Sequence, residues 1–593
     1  MKKIVNDFWM VLIFYISIVF ITTFPLLLKI NSYIPGFFST DESFAILWVG
    51  WLTKFSIINH LPINFTDFIA YPFGVRLYSF IVFINFIINF LLSIFTTPML
   101  VYNLQVVINI FLTALISYFF VYYLIKEKFC AFFSGVIFGF CPYIFVRSWQ
   151  HLGATYLWPL PLFTWFIFRL KDERNLKTKL LVILSFIVST VNFDITYYLL
   201  VLTGILIVYL CFSFKKNKAY IVKILYLISI AFILTIPQSL PIIFNVLFRR
   251  NSVPMAQNIF HRPFEDLFTQ SARPLSYLLP SVAHPIFGKF TEQFVGTQFY
   301  GISFTEHTLY LGWLPLFLAL FALKKWEKNG KAQIISEDDN FNIGFFVILT
   351  VIAWFFSQPP WWQIGPLKVY MPSFFMYRVL PMIRAYCRFG VVVMFAISVL
   401  AGFGLKFILE RFKSNKTKIS ITTLACSLVL FEFWNWPPYK VIDVSKVPAV
   451  YYWIKNQPGD FVIAEYPLDT LGPNEMYKFY QIKHEKKIIN ATIPGTYANK
   501  VAKTITKLSD PNTTGVLKWM GVRYALVHRE DYLNTGLIQD KEELDKIPKN
   551  PYLKFIKTFP SQECPQKDIM CVQKTGPIDI YEVIASPIRP KVE

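Results

Sequence analysis

The chain has 593 residues, of which 55% are apolar, 19% are aromatic and only 16% are charged. Because a soluble protein carries about 25% charged residues, this composition excludes a chain built only of soluble domains. The formal net charge is +21, but the Lys and Arg residues cluster between apolar runs, as the positive-inside rule requires. The charge therefore indicates a membrane partner and not a nucleic acid.

Apolar segments recur along the first three quarters of the chain, and several approach the ~20 residues that cross a hydrocarbon core. They predict eleven membrane-spanning helices, or thirteen if the stretches 44–59 and 77–96 both cross. Either number is odd, so a cytoplasmic N-terminus puts the C-terminus outside the plasma (inner) membrane. The eleven predicted spans are 8–30, 100–125, 130–146, 155–170, 178–193, 196–213, 220–245, 304–323, 343–358, 387–409 and 417–434.

Composition changes near residue 440. Residues 1–435 are predicted to form the polytopic domain, with a first outer loop at 31–99 and a second long outer loop at 246–303. Strand-type residues recur within 440–593, which predicts a small extracytoplasmic α/β domain. The expected fold is thus an α-helical polytopic membrane protein of about 11–13 helices with a C-terminal α/β domain. Cys564 and Cys571 are expected to form a disulfide if that domain lies in an oxidising compartment.

An acidic pair, Asp41-Glu42, follows the first predicted span. Adjacent carboxylates beside a membrane are suited to general-base catalysis or to holding a cation that neutralises a leaving phosphate. Ser39-x-x-Glu42 is also a capping-box pattern, which would only start a helix at 44–59. The two interpretations are compatible, because one carboxylate can cap while the other reacts.

Further ionisable residues fall on the predicted outer side. Such residues at span ends face cavities more often than lipid, so a shared cavity is one interpretation and solvated loop positions are the other. Arg384 and Arg388 lie there against the positive-inside trend; they are suited to binding a lipid phosphate, or else they reach ordinary headgroups. The remaining cavity candidates are His151, Asp194, Glu306 and His307. No P-loop, HExxH, GxSxG or nucleotide fingerprint is present, so an ATP-driven pump or a soluble-type hydrolase has no support.

The layout resembles the GT-C superfamily of membrane glycosyltransferases, which includes protein O-mannosyltransferases and aminoarabinose transferases of lipid A. The resemblance rests on one span, an outer loop opening with Asp41-Glu42, and many further spans. Short motifs similar to uncharacterised bacterial members are His151-Leu152-Gly153, Trp158-Pro159-Leu160-Pro161, Ser276-Tyr277-Leu278-Leu279-Pro280, His284-Pro285, Glu306 with Tyr310-Leu311-Gly312, and Arg384 with Arg388-Phe389.

The resemblance implies a polyprenyl-phosphate or polyprenyl-diphosphate sugar donor and an acceptor that is a lipid, a glycan or a protein. Asp41, with Glu42 beside it, would be catalytic as a general base, or would bind a divalent ion (Mg or Mn) in members that use one. Arg384 and Arg388 would bind the donor phosphate. Two alternatives remain: a transporter or flippase of lipid-linked saccharide, which predicts inverted repeats with interrupted helices, and a non-catalytic envelope assembly scaffold.

Overall fold

The computed structural model describes eleven stretches of the chain, which form two compact units. The first unit comprises Met1–Leu27, Leu104–Pro237 and Ile259–Tyr439, as far as these are described; the second comprises Leu28–Asn103, Gln238–Asn258 and Lys440–Glu593. The second unit thus combines the C-terminal residues with those of the predicted first outer loop. The described residues are 2–36, 41–76, 91–93, 95–173, 175–213, 218–248, 262–332, 335–435, 439–468, 471–534 and 538–590. Most of the stretch 77–96 and part of the second outer loop lie outside them.

The first unit is helical, and each of the eleven predicted spans contains a helix. By length and composition, six of the described helical segments can cross a membrane: Pro98–Ile125, Lys128–Ser148, Phe193–Phe212, Lys218–Gln238, Glu337–Ser357 and Tyr386–Leu409. The prediction of a polytopic helical membrane protein is therefore confirmed. The other main helices are Lys2–Thr22, Pro159–Asp172, Leu176–Ser189, Trp313–Ala332 and Asn415–Glu432. Short helices are Pro142–Ser148, Asp266–Thr269, Pro274–Leu278, Gly288–Glu292, Phe304–His307 and Pro372–Val379. The strands Trp361–Ile364 and Leu367–Tyr370 form a hairpin.

Helix Gly390–Leu409 lies at the centre of the first unit and is buried along most of its length. A helix that is apolar on all sides needs such a position. Gly404 allows the closest approach, since a Cβ there would lie 2.1 Å from the carbonyl oxygen of Leu318. In the same C-terminal part of the helix, Lys406 forms an ion pair with Asp339. The helices packed against it are Lys128–Gly139, Trp313–Ala332 and Glu337–Ser357.

The predicted span 304–323 begins later than expected. Residues Phe304–His307 form a separate short helix, and the long helix is Trp313–Ala332. The break comes at Gly312, whose φ of +85° is a conformation that favours glycine. The Glu432 carboxylate then caps the new helix by accepting hydrogen bonds from its first two backbone N–H groups, at 2.7 and 3.2 Å. An apolar run alone does not reveal such a break.

The second unit contains a five-stranded mixed sheet. Its order is Leu553–Phe559, Ile578–Val583, Val522–His528, Val462–Tyr466, Lys487–Ile488. The last three strands are parallel to one another, and Ile578–Val583 runs antiparallel to both of its neighbours. Its central strands are buried, and the predicted α/β character is confirmed. The helices of this region are Ala449–Lys455, Leu471–His484, Tyr497–Thr504, Pro511–Trp519, Arg529–Asn534 and Ile538–Lys546.

The stretch 44–59 forms helix Asp41–Ile58, which packs against helix Leu471–His484 within the second unit. Trp48 is buried, and its Nε1–H donates to Gln481 Oε1 at 2.7 Å. In the same unit, strand Tyr33–Pro35 pairs with Val441–Asp443, which pairs with Met570–Cys571. Two short strands, Phe65–Thr66 and Val75–Arg76, form a further pair. A disulfide joins Cys564 to Cys571.

Candidate functional site

Four charged residues of the first unit form one ion-pair cluster, which we call the arginine cluster: Arg147, Asp194, Glu306 and Arg388. Each comes from a different element. Arg147 lies on helix Pro142–Ser148, Asp194 in the first turn of Phe193–Ser213, Glu306 on Phe304–His307, and Arg388 in the 3-10 turn before Gly390. Three of these residues were predicted as cavity or phosphate-binding candidates.

Glu306 is the centre of the arginine cluster. Arg147 donates to both of its carboxylate oxygens, from Nη1 to Oε1 at 3.0 Å and from Nη2 to Oε2. Both also accept from Arg388, through Nε at 3.1 Å and Nη2 at 2.7 Å. Beneath them, the guanidinium of Arg147 lies 5.0 Å from the centre of the Tyr143 ring. Paired forks of this kind fix the arginines in direction as well as position.

The arginine cluster opens towards solvent on one side. The Arg147 side chain is fully buried, whereas 23% of Arg388 and 29% of Asp194 are exposed. Arg388 donates to Asp194 Oδ2 through Nη1, at 2.8 Å. Since a guanidinium has five N–H donors and three are used, two N–H groups of Arg388 have no acceptor among the described residues. They can bind a ligand oxygen.

The charges of the arginine cluster cancel. Burial raises the pKa of the Glu306 carboxyl, but the guanidinium groups of Arg147 and Arg388 outweigh it and hold that pKa well below its ordinary value. Glu306 is therefore ionised at neutral pH. Its oxygens and the Asp194 Oδ2 are occupied by arginine N–H groups, so these carboxylates do not fit a Mg or Mn site, which needs open oxygen ligands.

The rest of the described chain likewise lacks a cluster of metal-binding side chains. No group of three or more His, Cys, Asp or Glu side chains among the described residues is placed to hold an ion. The side chain of Asp41, the predicted ligand, lies outside the described residues, although its backbone begins helix Asp41–Ile58. Glu42 follows in that helix, in the second unit, and is partly buried. The cap expected from Ser39 lies outside the described residues too.

Three other predicted residues do not contact the ion pairs of the arginine cluster through their side chains. The Arg384 side chain is 46% exposed, and its Nη1 lies 3.5 Å from Asp266 Oδ2. The ring nitrogens of His307 each lie 2.9 Å from a backbone carbonyl oxygen, and burial lowers its pKa. His151 begins a 3-10 turn, and its backbone N–H donates to the Arg147 carbonyl at 2.7 Å. The last two therefore position the backbone near the arginine cluster.

Arg147 was not predicted as a functional residue. Its sequence signal is a lone arginine that closes the apolar run 130–146. An arginine at that depth needs a carboxylate partner. Its partner is 159 positions away, so the run alone did not identify it.

An apolar groove of about 410 Å³ lies in the same unit. Helix Pro142–Ser148 contributes to both features: Phe145 lines the groove, and Arg147 belongs to the arginine cluster. Ser148 hydrogen-bonds to the hydroxyl of Tyr439, another groove residue. Part of the groove wall and the buried arginine thus lie on one short helix.

The comparison with solved structures addresses the fold. A cryo-EM structure of the arabinofuranosyltransferase AftD from Mycobacteria matches with a TM-score of 0.52 over 97% of this chain, at 13% identity. The fold is GT-C-like. The chain spans 40% of the length of the AftD chain. An oligosaccharyltransferase from Archaeoglobus fulgidus, in complex with Zn and sulfate, matches more loosely, with a TM-score of 0.44 and 12% identity over 95% of this chain and 73% of that one. No family model and no curated protein matches the sequence.

Proposed function

We propose that the chain is a membrane glycosyltransferase that moves a sugar from a polyprenyl-phosphate-linked donor to an acceptor on the outer face of the plasma membrane. The observation that carries the proposal is Arg388, a partly exposed guanidinium at the end of an apolar helical segment. Glu306 and Asp194 hold it in one orientation, and two of its N–H groups remain for a ligand. Phosphate oxygens are the ligand that such a fork matches.

Three further observations support this proposal. The GT-C-like fold is one that holds a glycosyltransferase, although a fold does not by itself establish an activity. The apolar groove beside helix Pro142–Ser148 has the character needed for an isoprenoid chain. The Cys564–Cys571 disulfide fits an oxidising, extracytoplasmic location of the second unit.

The proposed reaction is a displacement at the anomeric carbon. The acceptor hydroxyl oxygen forms the new bond to that carbon, and the bond from the carbon to the phosphate oxygen breaks. The leaving polyprenyl phosphate takes the bonding electrons, and Arg388, helped by Arg384, stabilises its charge. Asp41, with Glu42 next to it, is the proposed base that takes the hydroxyl proton. A carboxylate in this role contributes about 10²–10⁴ in rate.

The test compares envelope lipids and glycans by mass spectrometry in a deletion host and in hosts complemented with wild type, Asp41→Asn or Asp460→Asn. Asp460 is exposed in a turn of the second unit and serves as the matched control. The proposal predicts that deletion removes a sugar-bearing species and accumulates a polyprenyl-linked sugar. Wild type and Asp460→Asn should reverse both changes, and Asp41→Asn neither. Full complementation by Asp41→Asn at equal expression would show that this carboxylate is not catalytic.

A further inference from the structure

A second site is indicated by the strand order of the second unit. Strands Val462–Tyr466 and Val522–His528 are parallel neighbours at the centre of the sheet. The chain leaves the first towards Lys487–Ile488 on one side, and the second towards Leu553–Phe559 at the opposite edge. In open α/β sheets, ligands bind in the crevice beyond the carboxyl ends of two such strands.

A pocket of about 230 Å³ is present at that position. The residues of its wall that carry the argument are Tyr477, His528, Glu530, Asp531, Lys574 and Thr575. His528 is the last residue of its strand. Gly576 brings the loop that carries Lys574 close to the opposite wall, because a Cβ there would lie 2.5 Å from the Cβ of Glu530.

Buried groups hold the pocket residues in place. His528 Nε2 lies 2.6 Å from Glu465 Oε2, and Glu465 is fully buried. On the pocket side, His528 Nδ1 lies 3.9 Å from Asp531 Oδ2, which accepts a hydrogen bond from the Tyr477 hydroxyl at 3.2 Å. The Tyr477 ring packs on the imidazole with 4.8 Å between centres. Burial lowers the pKa of His528, but Glu465 outweighs this effect and raises it above its ordinary value.

The pocket mixes hydrogen-bond donors and acceptors at close spacing. Asp531 and Glu530 accept, whereas Lys574 donates. Two carboxylates in the wall disfavour a phosphate, and an apolar ligand would leave charged groups without partners. A ring of hydroxyl groups donates and accepts around its whole edge, and the volume suits one such ring. We propose that this pocket binds a single uncharged sugar ring.

This site goes beyond the proposed function, since binding is measured without any lipid-linked donor and stands even if the transfer proposal fails. The test is saturation-transfer NMR on the full chain in nanodiscs. The probes are methyl glycosides of glucose, galactose, mannose, rhamnose and N-acetylglucosamine, with inorganic phosphate as competitor. The variants are Asp531→Asn and Lys574→Gln, and Asp545→Asn on the exposed face of helix Ile538–Lys546 is the matched control.

Wild type and Asp545→Asn should bind at least one glycoside. Asp531→Asn and Lys574→Gln should each weaken that binding about tenfold, the effect of one hydrogen bond to a charged group. Unchanged thermal midpoints of both variants exclude misfolding as the cause. The proposal is overturned if no glycoside of the panel receives saturation, if both pocket variants bind as wild type does, or if phosphate displaces the sugar.

Discussion

Replacing Glu306 by Gln should destabilise the protein severely, because it leaves the fully buried Arg147 without a carboxylate. Removing one partner of a buried ion pair costs about 3–5 kcal/mol. Asp338→Asn is the matched control: its ion pair with Lys171, at 3.4 Å, leaves 84% of the Asp338 side chain exposed. An exposed pair of this kind contributes about 0–1 kcal/mol. The two substitutions remove the same charge at very different depths.

The double variant Arg147→Met with Glu306→Gln separates a lost contact from an unpaired buried charge. It removes the buried guanidinium, and the Gln oxygen can still accept from Arg388. We expect it to recover most of the stability lost in Glu306→Gln, since a buried pair can be replaced by apolar groups at little cost. The assay is unfolding followed by tryptophan fluorescence in one detergent. Equal stability of Glu306→Gln and Asp338→Asn, or a double variant less stable than Glu306→Gln, would show that an unpaired buried Arg147 is not what destabilises the protein.

The lowered pKa of Glu306 stabilises the fold. This contribution is fully present above the unfolded pKa of about 4.3 and is lost as pH falls through the folded pKa. The difference in thermal midpoint between wild type and Glu306→Gln should therefore stay constant from neutral pH to about 5 and narrow below about 4; narrowing between neutral pH and about 5 would contradict this. Gln481→Met removes the hydrogen-bond acceptor of Trp48 and the donor to two backbone carbonyls. Measured by hydrogen exchange, the protection free energy of helices Asp41–Ile58 and Leu471–His484 should fall by about 1–3 kcal/mol, whereas the control Gln457→Met should leave both helices unchanged. Cys564 and Cys571 should resist maleimide in intact cells until a reductant is added, whereas labelling before reduction contradicts an oxidised pair.

The sequence was informative where a property is local. Apolar runs locate the helices because crossing hydrocarbon requires about 20 apolar residues in a row. The break at Gly312 was missed because Glu432, which caps the helix after it, lies far along the chain. Likewise a helix was predicted at 44–59, but the burial of Trp48 on it involves Gln481, 433 positions along the chain.

The candidate site shows the same division. Asp194, Glu306 and Arg388 stand out in the sequence as ionisable residues at span ends, where charge is expensive. Their pairing, and the part of Arg147 in it, depends on four elements meeting, which no spacing encodes. The pocket at His528 depends on strand order, so a search for sequence motifs does not reveal it.

The proposed transferase activity can be measured as the movement of sugar out of the lipid-linked pool. Membrane vesicles from a deletion host, with the lipid-linked sugars radiolabelled, would receive purified wild type, Arg388→Lys or the exposed control Arg411→Lys. We expect wild type and Arg411→Lys to move label from the polyprenyl fraction to an acceptor. Arg388→Lys should do so about 10- to 100-fold more slowly, because it has lost the planar fork. Label that stays lipid-linked with wild type, or an Arg388→Lys variant as fast as Arg411→Lys, would contradict it.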